Sequence, residues 1–387
     1  MNILIQNPFL HSGGAENRIR SLIDELAKRP DIDEIHFMFC GDEGRHIIRN
    51  DEKVHLWDTK IGKFTSVVKN IIKEHGIDIF QYHNNQIIGL AGLQYAQQHG
   101  IPTVWVMHDF WPLCINRFMI PPFEASKFDP CIKIDPEECI NCVGYYNYFL
   151  YRKYREIINN CNVGVVPSQR IKEIFEMNNT LTNKLKIITP WIILDKFKPV
   201  PEMKERQSVL FVGNFIPHKG FWVVLKAWKE VQKRLPMARL LGIGDARGLS
   251  EVQLLIRDLK LRNVRLSGRV PHEQIFQLYN KANITVFPSI WEETFGQVWA
   301  ESLACATPVI ASRIGSIPEL LKEGGVLFKP RDHKELANHI IDLLLDEEKA
   351  NMLGVKGYQY VTNAFRPDVA AQSFTEMYYR LEAGLDA

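Results

Sequence analysis

The chain has 387 residues, 46% hydrophobic and 24% charged, which suits two globular domains of ordinary size and excludes a disordered or fibrous protein. Its 47 Lys and Arg nearly cancel 45 Asp and Glu, so no global field draws it to nucleic acid, and anion binding must come from local groups. The opening MNILIQNPFL lacks the basic start and long apolar run of a signal peptide, and no window is long enough to cross a membrane; a cytoplasmic location is expected, where the seven cysteines serve as thiols or metal ligands.

Residues 2 to 8 read as a short apolar strand, followed by the loop HSGGAEN and a helix from Ala15 to Lys28 with Ile19, Leu22, Ile23 and Leu26 on one face. The alternation continues with EIHFMFC as strand, SVVKNIIKEHG as helix, IDIFQYH as strand, GLAGLQYAQQHG as helix and PTVWVMH as strand. VGVVPS, QRIKEIFEM and KLKIITPW follow after Asn162 and complete a first domain over residues 1–195. DKFKPVPEMKER, from Asp195 to Arg206, is proline-bearing and charged, as a linker would be. A second series over 205–365 runs from SVLFVGN through ARLLGIG, VRLSGRV, NITVFPS, TPVIAS and GGVLFKP, with helical stretches between them. Strands apolar on both faces that alternate with helices imply parallel sheets covered on both sides. Residues 366–387 have helical periodicity from Val369 to Leu381 and no following strand, which predicts a helix crossing back to the first domain.

In such sheets ligands gather at the C-terminal ends of the strands. EETFGQVWAE sets Glu293 and Glu301, with seven residues between them, around Phe295-Gly296, at a strand end and the start of a helix. Amides at a helix start attract phosphate, and carboxylates accept only, so the two acids suit sugar hydroxyls on either side of one. The same residues also suit a first-turn acid favoured by the helix dipole and a solvated glutamate. FVGNFIPHKGF places Gly213 at a strand end and Lys219 before the next helix, where it can meet a diphosphate or lie in solvent.

The order FVGN, HKG, LGIGD, LSGRV, LYNKANITVFPS, EETFG, AESLACATPVIAS, GSIPE, GGVLF over residues 205–345 resembles the C-terminal half of the retaining glycosyltransferases of family 4. The first half carries the resemblance more thinly, in SGGAEN, the strand ending at His83, the pair His108-Asp109 and the VPS strand. The resemblance implies an α/β GT-B fold, two Rossmann-like domains facing each other across a cleft, and a nucleotide-sugar donor, UDP-linked, without a catalytic metal. By the same resemblance Lys219 would neutralise the donor diphosphate, Glu301 would hold the ribose, and Glu293 with the Phe295 and Gly296 amides would hold the transferred sugar. Gly213 and Asn214 would line the donor site and Arg269-Val270 would meet the base, while Gly13 and Gly14 would lie near the phosphates and His108 near the anomeric carbon. The family's second diphosphate cation, an arginine after the strand glycine, is Asn214 here, which leaves Lys219, or Arg269 or Arg247, to carry that charge. Gly315-Ser316 replaces paired glycines, and WIILD replaces the usual Asn-Gly of the linker.

A cysteine-bearing loop, residues 110–145, holds Cys114, Cys131, Cys139 and Cys142, enough ligands for a structural zinc or else free thiols. KIGKFTSVVKNIIKEHG and YYNYFLYRKYR mix basic and apolar residues; each reads as a surface helix or as a peripheral contact with the inner face of a membrane. The function expected is sugar transfer to a glycan, lipid-linked or small-molecule acceptor bound by the first domain. The alternatives are a GT-B nucleotide-sugar epimerase and a non-catalytic nucleotide-sugar-binding protein.

Overall fold

The computed structural model describes residues 1–7, 14–40, 46–49, 52–83, 89–119, 130–193, 195–245 and 247–386. They divide into two compact units, the first made of residues up to Trp191, Pro130 excepted, together with those from Pro367 onward, the second of Ile192–Arg366 with Pro130.

Unit 1 contains β1 (Asn2–Gln6), α1 (Gly14–Ala27), β2 (Glu34–Cys40), β3 (His46–Arg49), β4 (Val54–Thr59), α2 (Phe64–His75), β5 (Ile79–His83), α3 (Ala91–Gln98), β6 (Thr103–Val106), α4 (Pro136–Val143), α5 (Tyr145–Asn159), β7 (Val163–Val166), α6 (Gln169–Met177) and β8 (Leu185–Ile187). The strands form one sheet in the order β3-β4-β2-β1-β5-β6-β7-β8. Every pairing is parallel except β3 with β4. Residues of β5, β6 and β7 are buried throughout, as expected for a sheet with helices on both faces. β3 and β4 are additions to the predicted series. All four residues of β3 are exposed, and a short, exposed antiparallel strand is how a sheet edge is commonly blunted. Local chemistry sets the helix ends: α2 stops at Gly76 in the left-handed conformation, and Ser168 caps α6 by accepting from Ile171 N–H.

Unit 2 contains β9 (Ser208–Val212), α7 (Phe221–Arg234), β10 (Arg239–Ile243), α8 (Leu249–Asp258), β11 (Val264–Ser267), α9 (His272–Lys281), β12 (Ile284–Phe287), α10 (Gln297–Ala304), β13 (Val309–Ser312), α11 (Ile317–Leu321), β14 (Gly325–Phe328), α12 (His333–Leu345) and α13 (Glu347–Ala364). Its order, β11-β10-β9-β12-β13-β14, is the doubly wound 3-2-1-4-5-6 arrangement, whose switch point lies between the first and fourth strands, β9 and β12. One apolar layer packs α7 and α12 on the sheet; a second joins α9, α10 and α11 with Val361 and Phe365.

The last helix, α14 (Pro367–Glu382), belongs to the core of unit 1. Phe374, Met377 and Tyr378 are fully buried there, in the same cluster as Ile19, Leu22 and Trp191. The Trp191 ring meets Phe374 edge-on at 5.8 Å, and its Nε1–H donates to Arg18 O and Ser21 Oγ at 2.9 and 3.0 Å. Because the Phe374 ring is wholly inside, Phe374→Ala is expected to destabilise the protein by about 3–5 kcal/mol. Urea denaturation of the full chain reads this as a lower midpoint, and an unmoved midpoint would contradict the place assigned to α14.

Candidate functional site

At the switch point of unit 2, the chain leaving β9 passes Gly213 and Asn214, makes one tight turn over Pro217–Lys219, and enters α7 through Gly220. The chain leaving β12 runs Pro288-Ser289-Ile290-Trp291-Glu292-Glu293. The two are tied where Ile290 N–H donates to His218 O at 2.9 Å. Gly220 has φ +72, and a Cβ there would lie 1.9 Å from Pro288 O, so only glycine allows this approach.

The turn delivers Lys219 to Glu293: Nζ donates to Oε1 at 2.8 Å and lies 5.1 Å from the centre of the Trp291 ring. Ser289 Oγ donates to the same Oε1. The Glu293 side chain is only 3% exposed, whereas Lys219 is 26% exposed, so a buried carboxylate is neutralised by an ammonium that solvent still reaches. The backbone of Glu293 is held as well. Ser316 N–H donates to its carbonyl at 2.8 Å, and Gly315, at φ +59, lies so close that a Cβ would come within 2.4 Å of Glu293 N and O.

Gly296, with φ +76, precedes the first residue of α10. Glu301 sits inside that helix, buried, and accepts from Tyr279 Oη–H at 2.9 Å. Burial and then the Glu301 charge push the Tyr279 phenol well above its usual range, so it remains a donor. The Phe295 ring is in the core against Trp299 and Phe365, which leaves its backbone as the part able to meet a ligand. Gly213 N–H is engaged with Ile243 O at 2.9 Å.

Asn214, with its amide oriented to satisfy both neighbours, donates to Asp245 at 3.2 Å and accepts from Arg247 at 2.9 Å. It therefore joins the paired Asp245–Arg247, whose own contacts are 2.8 and 2.6 Å. Arg247, through its hydrogen bond, and more weakly Arg269 hold the Asp245 carboxyl below its ordinary range. Arg269 and Val270 lie between β11 and α9. Ser289, Trp291 and Tyr279 were not among the residues singled out from the sequence. Ser289 was signalled only by its place at a strand end, and Tyr279 only by its position on a helical face.

In unit 1, Gly13 lies outside the described residues and Gly14 is the first residue of α1. His108 follows β6 and receives a polar chain that starts on the last helix. Tyr378 Oη–H donates to Gln81 Oε1, Gln81 Nε2 lies 2.8 Å from His83 Nε2, and His83 Nδ1 lies 2.8 Å from His108 Nε2. With the Gln81 amide donating, His83 carries its proton on Nδ1 and hands it toward His108. Burial first, then the Arg18 charge, holds His83 down to about 3. Burial, His83 and Arg18 hold His108 well below its ordinary value.

The cysteine segment is in part helical. Within residues 110–145 the helix α4 carries both Cys139 and Cys142. Cys114 and Cys131 thiols are pushed up to about 11, burial being the first cause. Among the described residues no three cysteine sulfurs lie within 4.8 Å of one another. α2 buries Phe64, Val68 and Ile71, which assigns its apolar face to the core. α5 leaves Tyr145, Tyr146 and Phe149 exposed. No described helix is long and apolar enough to cross a membrane.

Residues 12–196 match the family model described as Glycosyltransferase Family 4, and residues 193–360 match that described as Glycosyl transferases group 1. An uncharacterised glycosyltransferase of Methanocaldococcus jannaschii is 30% identical over 76% of this chain and 72% of its own. The chain is a family 4 glycosyltransferase. A D-inositol 3-phosphate glycosyltransferase of Corynebacterium jeikeium is 27% identical over 84% of this chain and 77% of that protein. A GDP-mannose-dependent phosphatidylinositol monomannoside mannosyltransferase of Mycolicibacterium smegmatis is 26% identical over 52% and 58%. Among solved structures, sucrose-phosphate synthase from Thermosynechococcus elongatus superposes with a TM-score of 0.79, at 21% identity and 99% coverage of both chains. Anabaena HepE, solved with UDP-glucose, gives 0.71 at 19% identity, covering 98% of this chain and 99% of that one. These neighbours place the glycosyltransferase in the GT-B fold, and the two family models meet close to where unit 1 gives way to unit 2.

The lowered histidines carry a pH signature. His83 and His108 are held neutral by burial, so the unfolded chain binds more protons than the folded one once pH falls below about 6.5, and stability rises with pH in that window. The stability is present above about 6.5 and is lost progressively as the pH falls toward about 3, each such histidine contributing up to about 1.4 kcal/mol per pH unit. Urea unfolding at pH 7 and pH 5 is expected to show this loss, with a shallower dependence in His83→Gln; an identical dependence in the variant would refute the assignment.

Proposed function

We propose that this glycosyltransferase moves a hexosyl or N-acetylhexosaminyl group from a nucleotide-sugar, UDP-linked, to a glycan, lipid-linked or small-molecule acceptor bound by unit 1. The configuration at the anomeric carbon is retained. The observation that carries the reading is the Lys219–Glu293–Ser289 constellation at the β9/β12 switch point. An ammonium has three donors; one is committed to Glu293, and the others can meet diphosphate oxygens. With Lys219 and Ser289 both on Oε1, Oε2 of Glu293 accepts from none of the described residues, and it would take a hydroxyl of the transferred sugar.

In the reaction the anomeric C–O bond to phosphate breaks and the electron pair leaves with the nucleoside diphosphate. The acceptor oxygen forms the new bond, and its proton passes to the leaving phosphate. Positive potential is needed where that charge develops, and Lys219 with the amides at the start of α10 would supply it without a divalent cation. Glu301, oriented by Tyr279, would hold the ribose hydroxyls, and the backbone at Arg269-Val270 would meet the base. Gly13, Gly14, Gly213 and Asn214 are assigned to the donor, and His108 to the reacting end of unit 1. A cytoplasmic enzyme with peripheral membrane contact is also proposed, supported by exposed Tyr145, Tyr146 and Phe149 beside Arg152 and Lys153 on α5.

Lys219→Ala is expected to lower kcat by roughly 10²–10³-fold with a smaller change in KM, as loss of a group acting on developing charge does. Glu301→Ala should mainly raise the donor KM. A Lys219→Ala enzyme with wild-type kcat would remove the leaving-group role. The base is tested by thermal shift against UDP-, GDP- and ADP-sugars, since a ligand at 100 times its Kd adds about 2.7 kcal/mol of stability. A UDP-sugar should give the largest rise. A larger rise with a GDP-sugar, the donor named for the Mycolicibacterium relative, would overturn the uridine assignment.

A further inference from the structure

At the edge of unit 1 opposite to His108, where β2 and β4 begin, five metal-ligating side chains share one face of the sheet. Alternation along β2 puts Glu34 and His36 on the same face. The register sets His36 beside His55 of β4, and His46 of β3 beside Trp57 of β4. His75, the last residue of α2, reaches the same face from the helix above it.

The side chains converge on one carboxylate oxygen. Glu34 Oε2 lies 2.9 Å from His36 Nε2, 3.4 Å from His75 Nδ1 and 3.8 Å from His55 Nε2. The ligand atoms of Glu34, His36 and His75 all lie within 4.8 Å of one another, the only such group of three among the described residues. We propose that Glu34, His36 and His75, joined by His55, bind a divalent transition-metal cation of the zinc class.

Zinc bonds to imidazole and carboxylate are about 2.0–2.2 Å, which for a tetrahedral ion sets ligand atoms about 3.3–3.6 Å apart; the three distances to Glu34 bracket that value. Imidazole donors favour such ions over calcium or magnesium, and a carboxylate is also a ligand zinc takes. His55 Nε2 is buried and has no hydrogen-bond partner, an arrangement that costs free energy unless a cation or a donor meets it. His36 is fully buried, with its Nε2 turned to the Glu34 carboxylate. The supporting groups are in place: His55 Nδ1 is 3.1 Å from His46 Nε2, and the His46 ring is stacked on Trp57 at 3.8 Å. Trp57 Nε1–H donates to His36 Nδ1 at 3.2 Å, which keeps the His36 proton on Nε2 toward Glu34. On loading, the ion takes that Nε2 position, the ring proton moves to Nδ1, and Trp57 Nε1–H, which donates to Nδ1 in the ion-free chain, has to turn away from it. Glu34 and His75 side chains are 37% and 25% exposed, which gives the ion an entry path. Bound there, it would tie β2 and β4 to the end of α2, at the sheet edge away from the reaction.

The test is titration of the chelator-treated full chain with Co²⁺, followed by absorption and by melting temperature. One Co²⁺ per chain is expected, without a thiolate-to-cobalt charge-transfer band and with a raised melting temperature. Glu34→Gln and His75→Ala should each weaken binding by at least about tenfold, while the Cys139→Ser, Cys142→Ser variant binds as wild type. His75 is partly exposed at a helix end, so its variant keeps the fold. Failure of the wild-type chain to take up Co²⁺, binding that carries the thiolate band alone, or wild-type affinity in both the Glu34→Gln and His75→Ala proteins would overturn the proposal.

Discussion

The contact on which unit 2's site depends is the ion pair between Lys219 and Glu293. A carboxylate as buried as Glu293 is costly unless a charge and hydrogen bonds meet it, and here both do, from Lys219 and Ser289. The surrounding backbone is shaped to keep them together. Gly220 lets the Lys219 turn press against Pro288, and Gly315 lets a second loop press against Glu293. In the proposed reaction the pair also explains how an empty site tolerates a cation meant for a diphosphate. Glu293 neutralises the ammonium at rest, and an entering diphosphate shares it, leaving the carboxylate turned to the sugar.

The alternation of strands and helices was legible because parallel strands buried on both faces read as continuous apolar runs, and nearly every predicted strand and helix has its counterpart. β3 and β4 were not legible: HIIR is exposed at every position and VHLWDT mixes charge with apolar residues, so neither shows the signal of a buried strand. α4 was hidden for a similar reason, its start being set by the Asp135 cap and Pro136 rather than by periodicity. Within the site, residues that follow strand ends or glycines, such as Lys219 and Glu293, stand out in the sequence. Their supports do not, because Ser289 and Tyr279 matter through contacts made only after folding. Asn214 is instructive. Its departure from the family arginine suggested a missing cation, yet it joins Asp245 and Arg247, and the Arg247 charge it borders is already matched by Asp245.

The last helix gives unit 1 a second kind of dependence. Through Phe374, Met377 and Tyr378 it completes the apolar core, and through the Tyr378 hydroxyl it begins the polar chain that reaches His108. One side chain therefore serves packing with its ring and orientation with its oxygen. A buried neutral histidine can stand in one of two tautomers, and which one it adopts is decided by what the other nitrogen meets. Fixing the Gln81 amide from α14 decides it for His83, and His83 in turn for His108. The chain segment farthest along the sequence thus sets the proton position at the end of β6.

Unit 1 consequently carries two histidine groups with opposite designs. At the C-terminal strand ends, His83 is wholly buried and His108 partly so; the two are linked to one another and to Gln81, and both are held neutral by burial with Arg18 nearby. A chain of that kind fixes direction and leaves no nitrogen turned to bulk solvent for a hydrated ion to reach. At the N-terminal strand ends, His36, His55 and His75 converge on a carboxylate that solvent reaches, and one of their nitrogens is left unsatisfied. The same residue type is thus used where its neutrality orients a proton and where its lone pair can be shared with a cation. The difference lies in the neighbours: an amide and a cation on one side, a carboxylate on the other.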